Sequence, residues 1–274
     1  MSSNPIVNEL TAAFPETDQK MPVLFVGHGS PMNAIEDNRF SQDWLKTTGI
    51  LPTPKAILCV SAHWQTSGTQ VTAMPRPRTI HDFGGFPPAL YAAQYPAPGS
   101  PTLAKVVAEQ VTQTKVELDQ KWGLDHGTWS VLIKMYPDAT IPVIQLSLDY
   151  TQPPQAHYAL AKDLAALRKR GVLIFGSGNI VHNLGVVNLG KEDFGFDWGI
   201  EFDQTIRDFI ISGNHEPIVH YETLGRASRL SIPTNEHYLP LLYVLAQQEK
   251  DEPVHFFAEG LVYGSLSMRS LWIG

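Results

Sequence analysis

The stretch Pro22-Val23-Leu24-Phe25-Val26-Gly27-His28-Gly29-Ser30-Pro31 begins as a short apolar run and breaks off into a histidine between two glycines. A strand with no polar face belongs near the centre of a sheet covered on both sides. Three further runs repeat the pattern. Residues 56–60 lead into Ser61-Ala62-His63-Trp64, residues 143–148 form another run, and residues 172–175 end in Gly176-Ser177-Gly178-Asn179. Between and after them, residues 101–114, 155–170, 198–211 and 236–248 carry apolar side chains at helical spacing. Lys169 and Arg170 followed by Gly171 predict a helix stop. Strands alternating with helices predict an α/β fold: a single domain with a central mixed, mainly parallel sheet covered by helices on both faces. The organisation expected is an N-terminal arm over residues 1–20 and one catalytic domain over 21–274. Residues 74–100 are rich in proline and glycine but also in aromatics, which predicts a long ordered loop lying over a site.

The chain has 274 residues, 43% of them hydrophobic, enough for a sizeable core. Its net charge of -7 is spread along the chain with no basic stripe, which argues against nucleic acid as a partner. No apolar run is long enough to span a bilayer, and the first twenty residues lack the layout of a secretion signal. A lone cysteine, Cys59, excludes an intramolecular disulfide and reads as a small apolar residue inside a strand. Together these predict a cytoplasmic protein. There is no glycine-rich phosphate cradle and no Gly-x-Ser-x-Gly elbow, so neither nucleotide nor flavin is expected.

The ten histidines carry the chemistry. In open α/β sheets ligands bind beyond the carboxyl ends of the strands. His28, His63 and His182 each follow a predicted strand, so they converge if those strands are neighbours. Neutral imidazoles suit iron, zinc or copper. His237 lies in Glu236-His237-Tyr238-Leu239-Pro240, and a proline is tolerated only near a helix start, which places His237 in a first helical turn with its ring free for a cleft. His126, in Trp122-Gly123-Leu124-Asp125-His126-Gly127-Thr128-Trp129, suits an aromatic-walled pocket with Asp125 able to orient a neighbouring histidine. His81 is expected either to face substrate or to be held by Asp82. His157, His215, His220 and His255 read as structural or solvent-facing.

Taken in order, Gly27-His28-Gly29-Ser30-Pro31, Ser61-Ala62-His63-Trp64, His81-Asp82-Phe83-Gly84-Gly85-Phe86-Pro87, Asp125-His126-Gly127-Thr128-Trp129, Ser177-Gly178-Asn179-Ile180-Val181-His182-Asn183 and Glu236-His237-Tyr238-Leu239-Pro240-Leu241 resemble the class III extradiol ring-cleavage dioxygenases, in the 4,5-DOPA branch. The likeness spans residues 21–274. It implies a metal-dependent opening of catechol-type rings, DOPA-like or caffeate-like, with O2. It implies one divalent metal held by His28, His63 and His237, with His182 a fourth ligand or a pocket acid/base and His126 lining the substrate pocket, so that His126 and His182 are the catalytic pair. It further suggests a monomer. Better-known members of the class use two histidines and a glutamate. Here Glu236, next to His237, is expected to point about 100° away around the helix. An all-imidazole site accepts zinc readily, so Zn2+ in the isolated protein and Fe2+ as the working metal are both expected. Two competing functions use the same residues. One is a zinc-dependent hydrolase of amides or esters with Glu236 or Asp125 as base; the other is a non-catalytic metal binder with a closed four-histidine shell.

Overall fold

The computed structural model describes residues 14–274. Most of the predicted arm, residues 1–13, lies outside the described residues; residues 14–20 are docked, with Phe14 buried in the core and the Thr17 N–H donating to the Lys169 carbonyl. The strands are β1 (Val23–Gly27), β2 (Ala56–Thr66), β3 (Thr69–Thr72), β4 (Val116–Asp119), β5 (Val143–Asp149), β6 (Val172–Gly178), β7 (Val254–Phe257), β8 (Leu261–Val262), β9 (Leu266–Ser267) and β10 (Ser270–Ile273). Eight of them form one sheet in the order β4-β3-β5-β2-β6-β1-β10-β7, and β8 and β9 make a separate hairpin-like pair. The centre, β5-β2-β6-β1, is parallel throughout. Antiparallel strands flank it: β3 beside β5, and β10 beside β1. The mixed, mainly parallel sheet expected from the apolar runs is therefore present.

Alternation along the central strands explains why both faces are apolar. Val23 and Phe25 of β1 enter one core, which the helices Pro101–Gln110, Pro154–Lys162, Asp197–Ile211 and Leu239–Leu245 cover. Leu24 and Val26 enter the other, under the helices Arg39–Thr48 and His126–Met135. Cys59 of β2 belongs to the second core, fully buried with its Sγ 3.1 Å from the Thr128 hydroxyl. Burying apolar surface on both sides at about 25 cal/mol per Å2 is what holds such a sheet in the middle of the molecule.

Several boundaries differ from the sequence-based expectation. The helix foreseen over 155–170 ends at Lys162 and continues as a 3-10 turn, Ala165–Arg170, before Gly171 adopts φ +78° as the expected stop. The helix foreseen over 101–114 ends at Gln110. The last long helix begins only at Leu239, with Pro240 in its first turn, so His237 lies in the preceding turn and not in the helix.

Register positions the site. β1 pairs with β6 as Gly27↔Gly178, and β2 pairs with β6 as Ser61↔Ser177. The three adjacent strands β2, β6 and β1 thus reach the same edge at the same level, which is what lets His28, His63 and the segment bearing His182 meet.

Candidate metal centre and its cavity

The His28 N–H donates to the Gly178 carbonyl at 3.0 Å, fastening the end of β1 to the end of β6. Gly29 then turns the chain at φ +58°, a conformation glycine adopts without a Cβ penalty. His63 is reached differently from the expectation: β2 does not end at Val60 but runs on to Thr66, with residues 61–64 standing opposite the single residue Ser147 of β5. Bulges of this kind re-aim side chains beside active sites. His182 sits beyond β6, its N–H donating to the Ser231 carbonyl. His237 is carried to the sheet edge because Asn179 N–H donates to its carbonyl at 2.8 Å, and because residue 178 is glycine: a Cβ there would lie 2.1 Å from that same oxygen.

The rings of His28, His63 and His237 form a triangle with centroid separations of 5.1, 5.3 and 5.0 Å. One ligand nitrogen from each lies within 4.8 Å of the other two. Hydrogen bonding selects which nitrogen. The Ser177 hydroxyl donates to the Gly127 carbonyl, so it accepts from His28 Nδ1 at 3.0 Å. His237 Nδ1 donates to Glu236 Oε1 at 2.9 Å, and His63 Nδ1 lies 3.5 Å from Asp82 Oδ2. With each Nδ1 facing an acceptor, the Nε2 lone pairs are left for the centre, and His28 Nε2 stands 3.1 Å from His63 Nε2. Two imidazole lone pairs at that separation repel unless a cation or a proton stands between them. The donor set therefore fits a divalent metal bound by neutral imidazole nitrogen.

Electrostatics agree with this. Burial, reinforced by the neighbouring rings, drives His28 and His237 well below the ordinary imidazole pKa. Burial and then His126 bring His63 down to about 3, and burial brings His182 down to about 4. All four are neutral near pH 7, the form that binds metal.

His126 opens the helix His126–Met135 and leans against His63, 3.8 Å between centroids with the rings tilted at 45°. Its backbone N–H donates to Asp82 Oδ1 at 2.9 Å; its Nδ1 lies 3.0 Å from Asp82 Oδ2, off the line of a straight N–H bond. Burial raises the Asp82 pKa, but the hydrogen bond and charge of His126, with His63, outweigh that and leave it below the usual carboxylate range. Asp82 is the carboxylate that serves His126 and His63, as Glu236 serves His237. Asp125, the expected partner, is not: it caps its own helix by accepting from Thr128 N–H and is wholly buried against Ser61 Oγ and Gln145 Nε2, each 2.6 Å away. Glu236 also departs from the expectation of pointing away, because it and His237 share a turn and not a helix. His182 stacks flat on His237, 3.4 Å between centroids, and groups with Glu236 and His237.

Above the rings lies a cavity of about 690 Å3 lined by His28, His63, Asp82, His126, His182 and His237 at its polar end. The proline- and glycine-rich stretch does cover it, through residues 82–86, and is pinned by Trp129 Nε1 donating to the Ile80 carbonyl. The aromatic against His126 is Phe83, 5.5 Å away, with Phe86 next to it; Trp122 instead stacks on Trp64, and neither Trp122 nor Trp129 lines the cavity. His81 donates to or accepts from no carboxylate of Asp82; its Nε2 pairs with the Ala93 carbonyl. His157, His215, His220 and His255 lie outside the cavity, bonded to Tyr243, Tyr158 and Gln155 or stacked on Trp272.

Residues 23–268 match the family model described as the catalytic LigB subunit of aromatic ring-opening dioxygenase. The chain belongs to the LigB family. It is 50% identical to the 4,5-DOPA dioxygenase extradiol of Escherichia coli K12, over 93% of this chain and 95% of that one. The Beta vulgaris protein of the same name is 36% identical over 92% of this chain and 98% of its own. A crystal structure of an uncharacterised Escherichia coli K12 protein superposes with a TM-score of 0.82 at 44% identity, covering 93% of this chain and all of the other. This LigB-family chain is thus a metal-dependent extradiol dioxygenase that opens aromatic diol rings with O2. The hydrolase alternative falls with that finding, and the two carboxylates it needed as base are already engaged. A non-catalytic metal binder is set aside on the same ground.

Proposed function

We propose that His28, His63 and His237 hold the metal through Nε2, that His126 and His182 move the protons of the reaction, and that the substrate is a DOPA-like or caffeate-like catechol. The convergence of three imidazoles, His28 and His237 buried and His63 half-buried, on one point at the floor of an aromatic cavity carries this reading. His182 suits a pocket acid/base better than a fourth ligand, since it groups with Glu236 and His237 and not with His28 and His63. The working metal is Fe2+; Zn2+ occupies the same nitrogens in isolated protein but has no redox chemistry to offer. Bound ferrous iron supplies the electron exchange that lets a diol react with O2.

The protein's own groups do the rest. The cavity orients a flat ring between Phe83 and the histidine floor, and its apolar walls keep bulk water from the reacting ring. His182, neutral at working pH, accepts a proton from a diol hydroxyl. His126, its Nδ1 held beside Asp82, keeps one ring orientation from which its far nitrogen serves the second proton transfer. Residues 21–274 make up the catalytic domain, against which residues 14–20 of the N-terminal arm dock; the enzyme acts as a cytoplasmic monomer. No helix among the described residues is long and apolar enough to cross a membrane.

The test is anaerobic loading with ferrous iron, addition of DOPA or caffeate, and admission of O2. Stoichiometric uptake with a new yellow chromophore is expected. His63→Ala loses the metal, whereas His126→Ala retains metal and loses turnover; equal metal loss in both variants refutes this division of roles.

A further inference from the structure

The bulge of β2 that carries His63 is held by something other than the sheet. Pairing of β2 with β6 stops at Ser61↔Ser177, and pairing with β5 jumps from Val60 to Gln65. Residues 62–64 thus have no ladder partner in either register. A side chain takes the ladder's place: the His63 N–H donates to Ser61 Oγ at 3.2 Å, and Ser61 Oγ donates to Asp125 Oδ1 at 2.6 Å. The start of the helix His126–Met135 sits directly on these contacts. A Cβ on Gly127 would lie 2.5 Å from Ser61 Oγ and 2.8 Å from His63 Cδ2, so this approach requires glycine.

Asp125 is more than a helix cap needs. Serine would accept from the Thr128 N–H equally well, whereas this carboxylate is wholly buried and has both oxygens occupied. Gln145 Nε2 donates to Oδ2 at 2.6 Å, and Trp122 Nε1 donates to the same oxygen at 3.4 Å. The Asp125 N–H donates to Gln145 Oε1, which fixes the orientation of that carboxamide, and the Gln145 N–H donates to Thr72 Oγ. A backbone N–H, a carboxamide NH2 and an indole N–H are obligate donors, the company of an ionised carboxylate. None of these partners is cationic, and a buried charge without a cation is costly.

We propose that Asp125 is a positioning residue for the metal: by holding Ser61 it sets the unladdered part of β2 from which His63 reaches the ion, and the ion offsets its buried charge. Asp125 hydrogen-bonds no imidazole. Asp82 stands beside the rings of His63 and His126, while Asp125 fixes the backbone beneath both, since it also caps the helix that His126 opens. One buried carboxylate thereby ties a metal ligand and an acid/base to a common frame. The inference rests on the assignment of His63 as a ligand.

A double-mutant cycle on Zn2+ affinity, read by competition with a chelator, tests it, and the melting temperature of the metal-free protein checks folding. Asp125→Ser keeps an oxygen for the helix cap but is too short to hold Ser61 and Gln145; Ser61→Ala removes the link alone. Each is expected to weaken Zn2+ about tenfold or more, the range for contacts that support a ligand. Because both act along one path, the double variant should bind within about twofold of the weaker single. Wild-type affinity in Ser61→Ala, or losses that multiply in the double variant, overturn the positioning role. So does a lowered melting temperature with unchanged affinity, the mark of a structural part only. Should Asp125→Ser be insoluble, Ser61→Ala decides alone, tenfold loss against none. His63→Ala serves as the reference: loss of metal there upholds the site whatever Asp125 does, and metal retained there overturns the site assignment itself.

Discussion

Replacing Glu236 tests whether a carboxylate stands behind the histidine triad. Its Oε1 accepts from His237 Nδ1 at 2.9 Å, with the two side chains only 18% and 9% exposed. A negatively charged acceptor makes the imidazole more basic and fixes the tautomer that presents Nε2. Glu236→Gln keeps an oxygen acceptor of the same reach and removes the charge. Charged hydrogen bonds exceed neutral ones by roughly 1–1.5 kcal/mol, so the metal should bind about tenfold more weakly. Glu236→Ala removes the acceptor as well and leaves a buried N–H unpaired, which carries the loss toward about a hundredfold, the upper end for such supporting contacts. Chelator competition against the metal-loaded enzyme reads the affinity, and the melting temperature of the metal-free protein controls for folding. Wild-type metal affinity in both variants refutes the reasoning. Loss far beyond a hundredfold in Glu236→Gln refutes it from the other side, by making Glu236 a ligand in its own right.

Asp82→Asn should weaken the metal less than Glu236→Gln, since His63 Nδ1 lies 3.5 Å from Asp82, and should lower kcat about tenfold to a hundredfold with little change in KM, because His126 loses the charge that holds its ring; an unaltered kcat contradicts that. Gly178→Ala brings a Cβ within 2.1 Å of the His237 carbonyl, so it should displace the 233–238 turn and abolish metal retention, which metal analysis of any soluble protein decides. Glu252 receives Arg168, Lys20 and the Glu249 N–H, which overcome its partial burial and bring its pKa down to about 2. Its folded value lies below that of the unfolded chain, so the stabilisation is full above about pH 4.5 and is lost as pH falls toward about 2. Glu252→Gln should therefore cost about 2 kcal/mol at pH 7 after allowance for solvent screening, and nothing near pH 2, by urea unfolding.

The central strands were legible because their residues are buried on both faces, and a run such as Val23-Leu24-Phe25-Val26 has no other stable home. The flanking strands were not: β3, β4, β7 and β10 are four residues each and mix polar with apolar side chains. Three of the cavity histidines, His28, His63 and His182, were placed by a general rule about strand ends, and the register of β2, β6 and β1 makes that rule work here. The supporting shell was harder to see. Ser177 orients His28 from a neighbouring strand, a pairing that only register reveals. Asp82 comes from an aperiodic loop, where spacing says nothing about direction. Asp125 attracted attention by adjacency to His126, yet an aspartate just before a helix turns back to its own backbone, and its place three residues ahead of Thr128 is the signature of that cap. Glu236 was misplaced because a helical angle was applied to residues that Pro240 keeps out of the helix.

The solitary thiol offers a practical handle. Cys59 lies in the middle strand of the parallel core with no solvent exposure, and burial pushes its pKa well above the ordinary value. A maleimide or disulfide reagent can reach it only after β2 separates from its neighbours and the helix bearing Thr128 lifts away. Labelling kinetics of the unmodified enzyme thus clock the opening of the central sheet itself, free of fraying at the chain ends, and comparing that clock with and without metal measures how far three imidazoles at the rim restrain the strands beneath them.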